Sequence, residues 1–162
     1  DVALINGGAI RTDQTLPAGP ITKRDVLSLL PFTNVVMKLE MRGGDLRRAL
    51  EEGLAQADRL GGGFLQVSGL RVAYDPKRPP GQRIVELQVA GTAVEDGGTY
   101  TVAVPSYLVR GGDGFTAFRG GKVLVNEESG PQLSDVVLDG LVARKTIAPR
   151  PDGRIRTVDR PS

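Results

Sequence analysis

Residues 35–57 read Val35-Val36-Met37-Lys38-Leu39-Glu40-Met41-Arg42-Gly43-Gly44-Asp45-Leu46-Arg47-Arg48-Ala49-Leu50-Glu51-Glu52-Gly53-Leu54-Ala55-Gln56-Ala57. Two periodicities meet inside this stretch. Val35, Met37, Leu39 and Met41 alternate with Val36, Lys38, Glu40 and Arg42, the two-residue period of a half-buried strand. Gly43-Gly44 then reads as a turn and Asp45 as a helix cap. Leu46, Ala49, Leu50, Gly53, Leu54 and Ala57 recur at three- and four-residue spacing, which makes one apolar helical face. Arg47, Arg48, Glu51 and Glu52 decorate the other face.

Working outward, residues 2–5 form an apolar run that reads as a central strand, and residues 6–11 follow it as a glycine turn. Thr22 stands three residues before Asp25, the spacing of a capping box. The helix it opens carries Val26, Leu27, Leu29 and Leu30 and is stopped by Pro31. Beyond residues 61–63, all glycine, strands are predicted over 64–67, 70–74, 83–90 and 99–104, with a proline-rich turn at 76–81. A glycine loop at 111–115, a short strand at 122–125, a helix capped by Ser134 and carrying Val136, Val137, Leu141 and Val142, and a strand at 154–158 complete the chain. Strands and helices mix without regular alternation. This predicts an α+β fold, with mixed β-sheets layered with helices.

The chain has 162 residues, a length that suits one domain. It contains no His and no Cys, which excludes imidazole general bases, thiol nucleophiles, disulfides and thiolate metal sites. Lys and Arg number 21 against 19 Asp and Glu, a net charge of +2 with both signs interspersed. Nucleic-acid binders concentrate positive charge on one face, so nucleic acid is not an expected partner. The Arg-Gly-Gly triplets at Arg42, Arg110 and Arg119 follow ordered apolar stretches and read as strand ends and turns. No apolar run approaches the length of a membrane span. Neither GxGxxG nor GxxxxGK[ST] occurs, and Glu51-Glu52 and Glu127-Glu128 read as solvated faces, not as metal ligands.

What remains is two glycine loops, each at the end of a predicted strand. The first holds Asn6 and Arg11; the second follows Pro105-Ser106-Tyr107 and contains Gly111, Gly112 and Asp113. Ligands commonly sit in loops beyond the carboxyl ends of strands. Glycines there permit positive φ and let backbone N–H groups approach an anion. Arg11 can pair with a phosphate, while Asn6 and Asp113 can hydrogen-bond sugar hydroxyls. Phe32 and Tyr107 can sandwich a planar base. From spacing alone, core packing is the simpler account of Phe32, and Tyr107 fits either role.

Residues 6–11 (NGGAIR), 30–36 (LPFTNVV), 63–70 (GFLQVSGL) and 111–115 (GGDGF) together resemble the C-terminal domain of the 5'-nucleotidase family, which also includes UDP-sugar hydrolases and 2',3'-cyclic phosphodiesterases. The segments stand in the family's order and span nearly the whole chain. The resemblance implies that residues 1–162 form a single substrate-binding domain. It places an N-terminal metallophosphoesterase domain, with two divalent metal ions held by His and Asp, upstream of residue 1. The C-terminal domain would bind the nucleotide and close the site by rotation. No catalytic residue, metal or cofactor is then expected in this chain, which alone would be inactive.

Carried over by position, Phe32 and Tyr107 would stack on the base, with Tyr107 standing where the family usually has Phe. Asn6 would contact the sugar or base, Asp113 the ribose hydroxyls, and Arg11 the phosphate, with Gly111 and Gly112 shaping the loop. Ala9 replaces a family glycine, and further phosphate-binding arginines would lie upstream. The family setting implies a periplasmic, cell-surface or secreted location. A stand-alone nucleoside-binding or cell-surface interaction module without catalysis is the alternative.

Overall fold

Strand β2 (Val36–Arg42) realises the alternation of its sequence. Met37, Leu39 and Met41 are buried, while Lys38 and Arg42 face solvent. The computed structural model describes residues 1–12, 15–59 and 61–158. In it β2 pairs antiparallel with β7 (Thr99–Pro105) on one side and β8 (Lys122–Val125) on the other. β7 also pairs in parallel with β1 (Val2–Asn6), and β1 pairs antiparallel with β3 (Leu65–Ser68). The resulting five-stranded sheet has the order β3-β1-β7-β2-β8. A four-stranded sheet is built from β4 (Leu70–Tyr74), β5 (Ile84–Val89), β6 (Thr92–Ala93) and β9 (Ile155–Thr157), in the order β6-β5-β4-β9.

The chain passes from one sheet to the other at Gly69, between β3 and β4. Its φ of +79° suits glycine, and a Cβ there would lie 2.1 Å from the Asp1 carbonyl oxygen. Helix α2 (Gly43–Leu54) touches β2, β3 and β7 of the larger sheet and β5 of the smaller. Its Leu46, Ala49 and Leu50 join residues of both sheets in one core. The α+β architecture of mixed sheets layered with helices is thus the observed one.

Helix α1 (Lys23–Leu29) opens on the expected capping box: the Thr22 hydroxyl accepts from the Asp25 amide, and the Asp25 carboxylate accepts from the Thr22 amide. Helix α3 (Ser106–Val109) is a single turn after β7, and α4 (Leu133–Arg144) packs against α1. The Arg-Gly-Gly arginines fall at the end of β2, just after α3 and in a 3-10 turn.

Several expectations are corrected. Gly43-Gly44 is not a turn and Asp45 is not the cap: Arg42 occupies that position without a side-chain bond, and both glycines lie in the first turn of α2. The Gly43 and Gly44 amides donate to the carbonyls of Gly98 and Asp96, so a neighbouring turn satisfies the helix start. A Cβ at Gly43 would lie 2.1 Å from the Glu95 carbonyl oxygen, so glycine is needed for this approach. The helix ends at Leu54, which places Ala57 in a following 3-10 turn. Ser134 does not cap α4; Gln132 precedes the helix and Ser134 is buried in its first turn. The two-residue β6 had no periodicity to reveal it. It follows the turn at Ala90-Gly91, both at positive φ.

The largest correction concerns Glu51, which is 7% exposed and not solvated. Its carboxylate accepts from the amides of Arg83 (3.0 Å) and Ile84 (2.7 Å), at the start of β5. The buried Arg83 guanidinium donates to the Leu54 carbonyl at 2.6 Å and pairs with Asp58. This clasp joins α2 to the smaller sheet. Removing Glu51 strands two amide donors in the interior, each worth about 1–3 kcal/mol. Glu51→Ala is expected to lower stability by about 2–5 kcal/mol in urea melts, while Glu128→Ala on the exposed surface stays within about 0.5 kcal/mol.

Just before β9, at the edge of the smaller sheet, Asp152 receives Nε and Nη2 of Arg154 at 2.8 and 2.7 Å. The bonds from Arg154 hold the Asp152 carboxyl down to about 2. A depressed carboxyl contributes stability above its unfolded value, and that contribution is lost as pH falls through its folded value. The Asp152–Arg154 pair is solvent-exposed, so its contribution is small, and it is expected to persist until the pH falls to about 2. An NMR titration should place the Asp152 midpoint near 2, and Arg154→Gln should return it toward the ordinary carboxylate range.

Candidate functional site

The strand directions gather four loops at one end of the larger sheet. β1 and β7 are parallel, so the segments that follow them, 6–11 and 106–114, leave from the same end. β2 is antiparallel to β7 and β3 to β1, so the segments that enter them, 30–35 and 61–64, arrive at that same end. Each of the four stretches that stood out in the sequence lies in or beside one of these loops.

Hydrogen bonds tie the loops together. The Gly7 amide donates to the Phe64 carbonyl at 2.8 Å and the Gly8 amide to the Gly62 carbonyl at 2.7 Å. These two N–H groups are therefore not available to an anion, and the first glycine turn serves as a splice between loops. Buried Ser106 accepts from the Val35 amide at 3.3 Å, and its own amide donates to the Val35 carbonyl at 2.8 Å. This fixes the Phe32 segment against α3, which carries Tyr107.

Between the loops lies a cleft of about 260 Å³ bordered by Asn6, Arg11, Phe32, Tyr107 and Asp113, with Ala9, Asn34 and Gly62 beside them. Five of the residues singled out from sequence thus meet in one place. Phe32 is 45% and Tyr107 38% exposed, whereas Phe115 and Phe118 are buried. Phe32 is therefore not a core residue, which overturns the packing account of it. The Arg11 guanidinium stands 5.2 Å from the centroid of the Phe32 ring, a cation–π contact that holds its charge at the cleft edge.

Asp113 is the most constrained residue of the site. Its φ of +53° is unusual for a side chain other than glycine. Asn6 Nδ2 donates to one carboxylate oxygen at 2.7 Å and the Tyr107 hydroxyl to the other at 2.9 Å. The Asp113 amide donates back to the Tyr107 hydroxyl at 3.2 Å. Gln56 Nε2 donates to the Asp113 carbonyl at 2.9 Å, and Gln56 Oε1 accepts from the Gly63 amide at 3.1 Å. The bond to Asp113, aided by burial, raises the Tyr107 phenol above its ordinary value and keeps it a protonated donor.

Gly112 lies behind the Tyr107 ring and Gly111 beside Arg119, and neither is among the residues bordering the cleft. Gly111 has a φ of +93°, and a Cβ on Gly112 would come within 2.4 Å of the Tyr107 ring. The missing side chain lets the ring lie flat on the backbone. Asn6 is 3% exposed, and its Oδ1 is buried without a hydrogen-bond partner among the described residues. A buried acceptor left open at a cleft suits a ligand donor.

Sequence reasoning missed three contributors. Asn34 stands in a motif that gives it no role, yet it is buried at the cleft. By spacing Gln56 reads as part of a helix, and Glu52 as solvated. Glu52 in fact accepts from the amides of Thr116 and Ala117 at 3.0 and 3.2 Å, bracing the exit of the Asp113 loop. Polarity at helical spacing could have flagged Glu52 and Gln56 as one face, but not their partners. Among the described residues no group of three or more acidic side chains could hold a metal ion.

A family model described as the 5'-nucleotidase C-terminal domain matches residues 1–120. The chain is 34% identical over 164 residues to a 5'-nucleotidase of Rattus norvegicus, covering 96% of this chain and 28% of that protein. It is 33% identical over 168 residues to a snake venom 5'-nucleotidase of Macrovipera lebetinus, covering 98% and 41% respectively. The crystal structure of a 5'-nucleotidase precursor from Thermus thermophilus superposes with a TM-score of 0.90 at 35% identity, over 99% of this chain and 32% of that one. The chain spans less than half the length of these relatives. By sequence, by fold and by the motifs that converge on its cleft, the chain belongs to the 5'-nucleotidase family, as its C-terminal domain.

Proposed function

We propose that the cleft holds the nucleoside portion of a nucleotide ester for a 5'-nucleotidase-type phosphoester hydrolase. The observation that carries this reading is the convergence of two exposed rings, an arginine and a doubly anchored carboxylate on one cleft. Phe32 and Tyr107 offer π-faces that suit any base, which favours tolerance over base identity. The Asp113 carboxylate has about four lone-pair positions. Asn6 and Tyr107 use one on each oxygen, which leaves one on each for the vicinal hydroxyls of a ribose. Arg11 supplies charge-assisted hydrogen bonds to a phosphate. Asn6 Oδ1 and Asn34 add polar contacts at the sugar or base.

Cleavage is assigned to a separate metallophosphoesterase domain, whose two divalent ions would supply the attacking water. The relation to venom and animal 5'-nucleotidases supports a secreted, cell-surface or periplasmic setting. Among the described residues no helix is long and apolar enough to cross a membrane.

Titration of the chain with adenosine, followed by NMR, tests the cleft. Phe32→Ala and Tyr107→Ala are each expected to weaken binding by about tenfold, the worth of a stacked ring. Unchanged affinity in both variants would remove the stacking role. Arg11→Gln is expected to weaken AMP while leaving adenosine within about twofold, because a charge-assisted bond to phosphate is lost; equal losses for the two ligands would exclude Arg11 from the phosphate. The chain alone should release no phosphate from AMP, and turnover at an ordinary enzymatic rate would contradict the division of labour.

A further inference from the structure

The Tyr107 hydroxyl does something that its ring alone cannot. It bridges the Oδ1 and the backbone amide of one residue, Asp113, at 2.9 and 3.2 Å. Asn6 holds the other carboxylate oxygen at 2.7 Å. A carboxylate anchored through one oxygen still swings about its terminal torsion, which is broad and shallow. One anchored through both oxygens has its plane fixed. The ring that delivers the hydroxyl is itself seated on Gly112, where a Cβ would lie 2.4 Å from it. Gln56 Nε2 donates to the Asp113 carbonyl at 2.9 Å. Together these contacts also maintain the left-handed backbone of Asp113, a conformation that costs about 1–3 kcal/mol when unsupported.

We infer that Tyr107, beyond stacking, is the positioning residue that sets sugar specificity: its hydroxyl fixes the plane of the Asp113 carboxylate so that both oxygens meet a vicinal diol at once. The inference rests on the nucleoside-binding reading and deepens it. A ribose makes two bonds and needs both oxygens in place. A 2'-deoxyribose makes one, and a mobile carboxylate can follow it. Loss of the hydroxyl therefore penalises the diol selectively, while the stacking face survives.

The test compares adenosine with 2'-deoxyadenosine on the unmodified chain and on Tyr107→Phe, with dissociation constants from NMR titration or calorimetry. The expected result is a fall of about fivefold in the ribose-to-deoxyribose preference, the worth of one hydrogen bond. The 2'-deoxyadenosine affinity should stay within about twofold, since the stacking ring is retained. An unchanged preference, or an equal loss for both ligands, would overturn the inference. Gly112→Ala serves as a second variant: by displacing the ring and its hydroxyl together it should weaken both ligands and lower the ribose preference as well, and an undiminished preference there would also count against the scheme. If the unmodified chain bound neither nucleoside, the nucleoside-binding reading itself would fail. If it bound both equally, Asp113 would not be reading the diol and the inference would fall while stacking stood.

Discussion

Everything at the cleft depends on the parallel pairing of β1 with β7, flanked by antiparallel partners. Parallel neighbours point their carboxyl ends the same way, and an antiparallel flank returns its amino end to that place. Asn6 and Asp113 stand 107 residues apart in sequence and 2.7 Å apart in space for this reason. Local propensity contributes little to that meeting. It follows from sheet order, and sheet order follows from which strand faces are apolar enough to be buried between neighbours. β7, at the middle of the larger sheet, is accordingly the strand whose Val102 and Val104 are wholly buried.

Helix α2 converts this arrangement into a rigid one. Adjacent residues act on opposite sides: Glu51 fastens the helix to the start of β5, and Glu52 braces the loop that carries Asp113. One turn later Gln56 stitches that loop to the glycines that enter β3. Buried carboxylates are tolerated when the groups they accept from would otherwise be orphaned. Glu51 fits that rule, and half-buried Glu52 likewise receives the backbone amides of Thr116 and Ala117.

The legibility of this molecule from its sequence divides along the range of the interactions. The capping box at Thr22 and Asp25, the alternation in β2 and the apolar face of α2 depend on residues a few positions apart, and all appear where their spacing places them. The start of α2 does not, because its first amides are satisfied by carbonyls at 96 and 98. Glu51 reads as solvated because its partners at 83 and 84 lie beyond any local window. From spacing alone Phe32 reads as core, because an aromatic near a strand usually is core; the motif it stands in points to the site instead, and in the fold its ring is open to the cleft. The four motif segments name most of the cleft's border. They are silent on Gln56, whose role is to hold a backbone, and on how Tyr107 and Asp113 bind each other.

The clasp between Glu51 and the start of β5 has a consequence for how mutations in this protein would be interpreted. The smaller sheet contributes no side chain to the cleft border. It nevertheless shares α2 with the loops that do. Local opening of the β4–β5 pair would release one of the anchors of α2, the helix whose Glu52, with Gln56 just beyond it, holds the Asp113 loop. Stability in one sheet is thus thermodynamically linked to competence in the other. A genetic screen for lost ligand binding would return substitutions around Arg83 and Ile84 alongside those in the cleft, and distance from the ligand would be a poor guide to which residues matter.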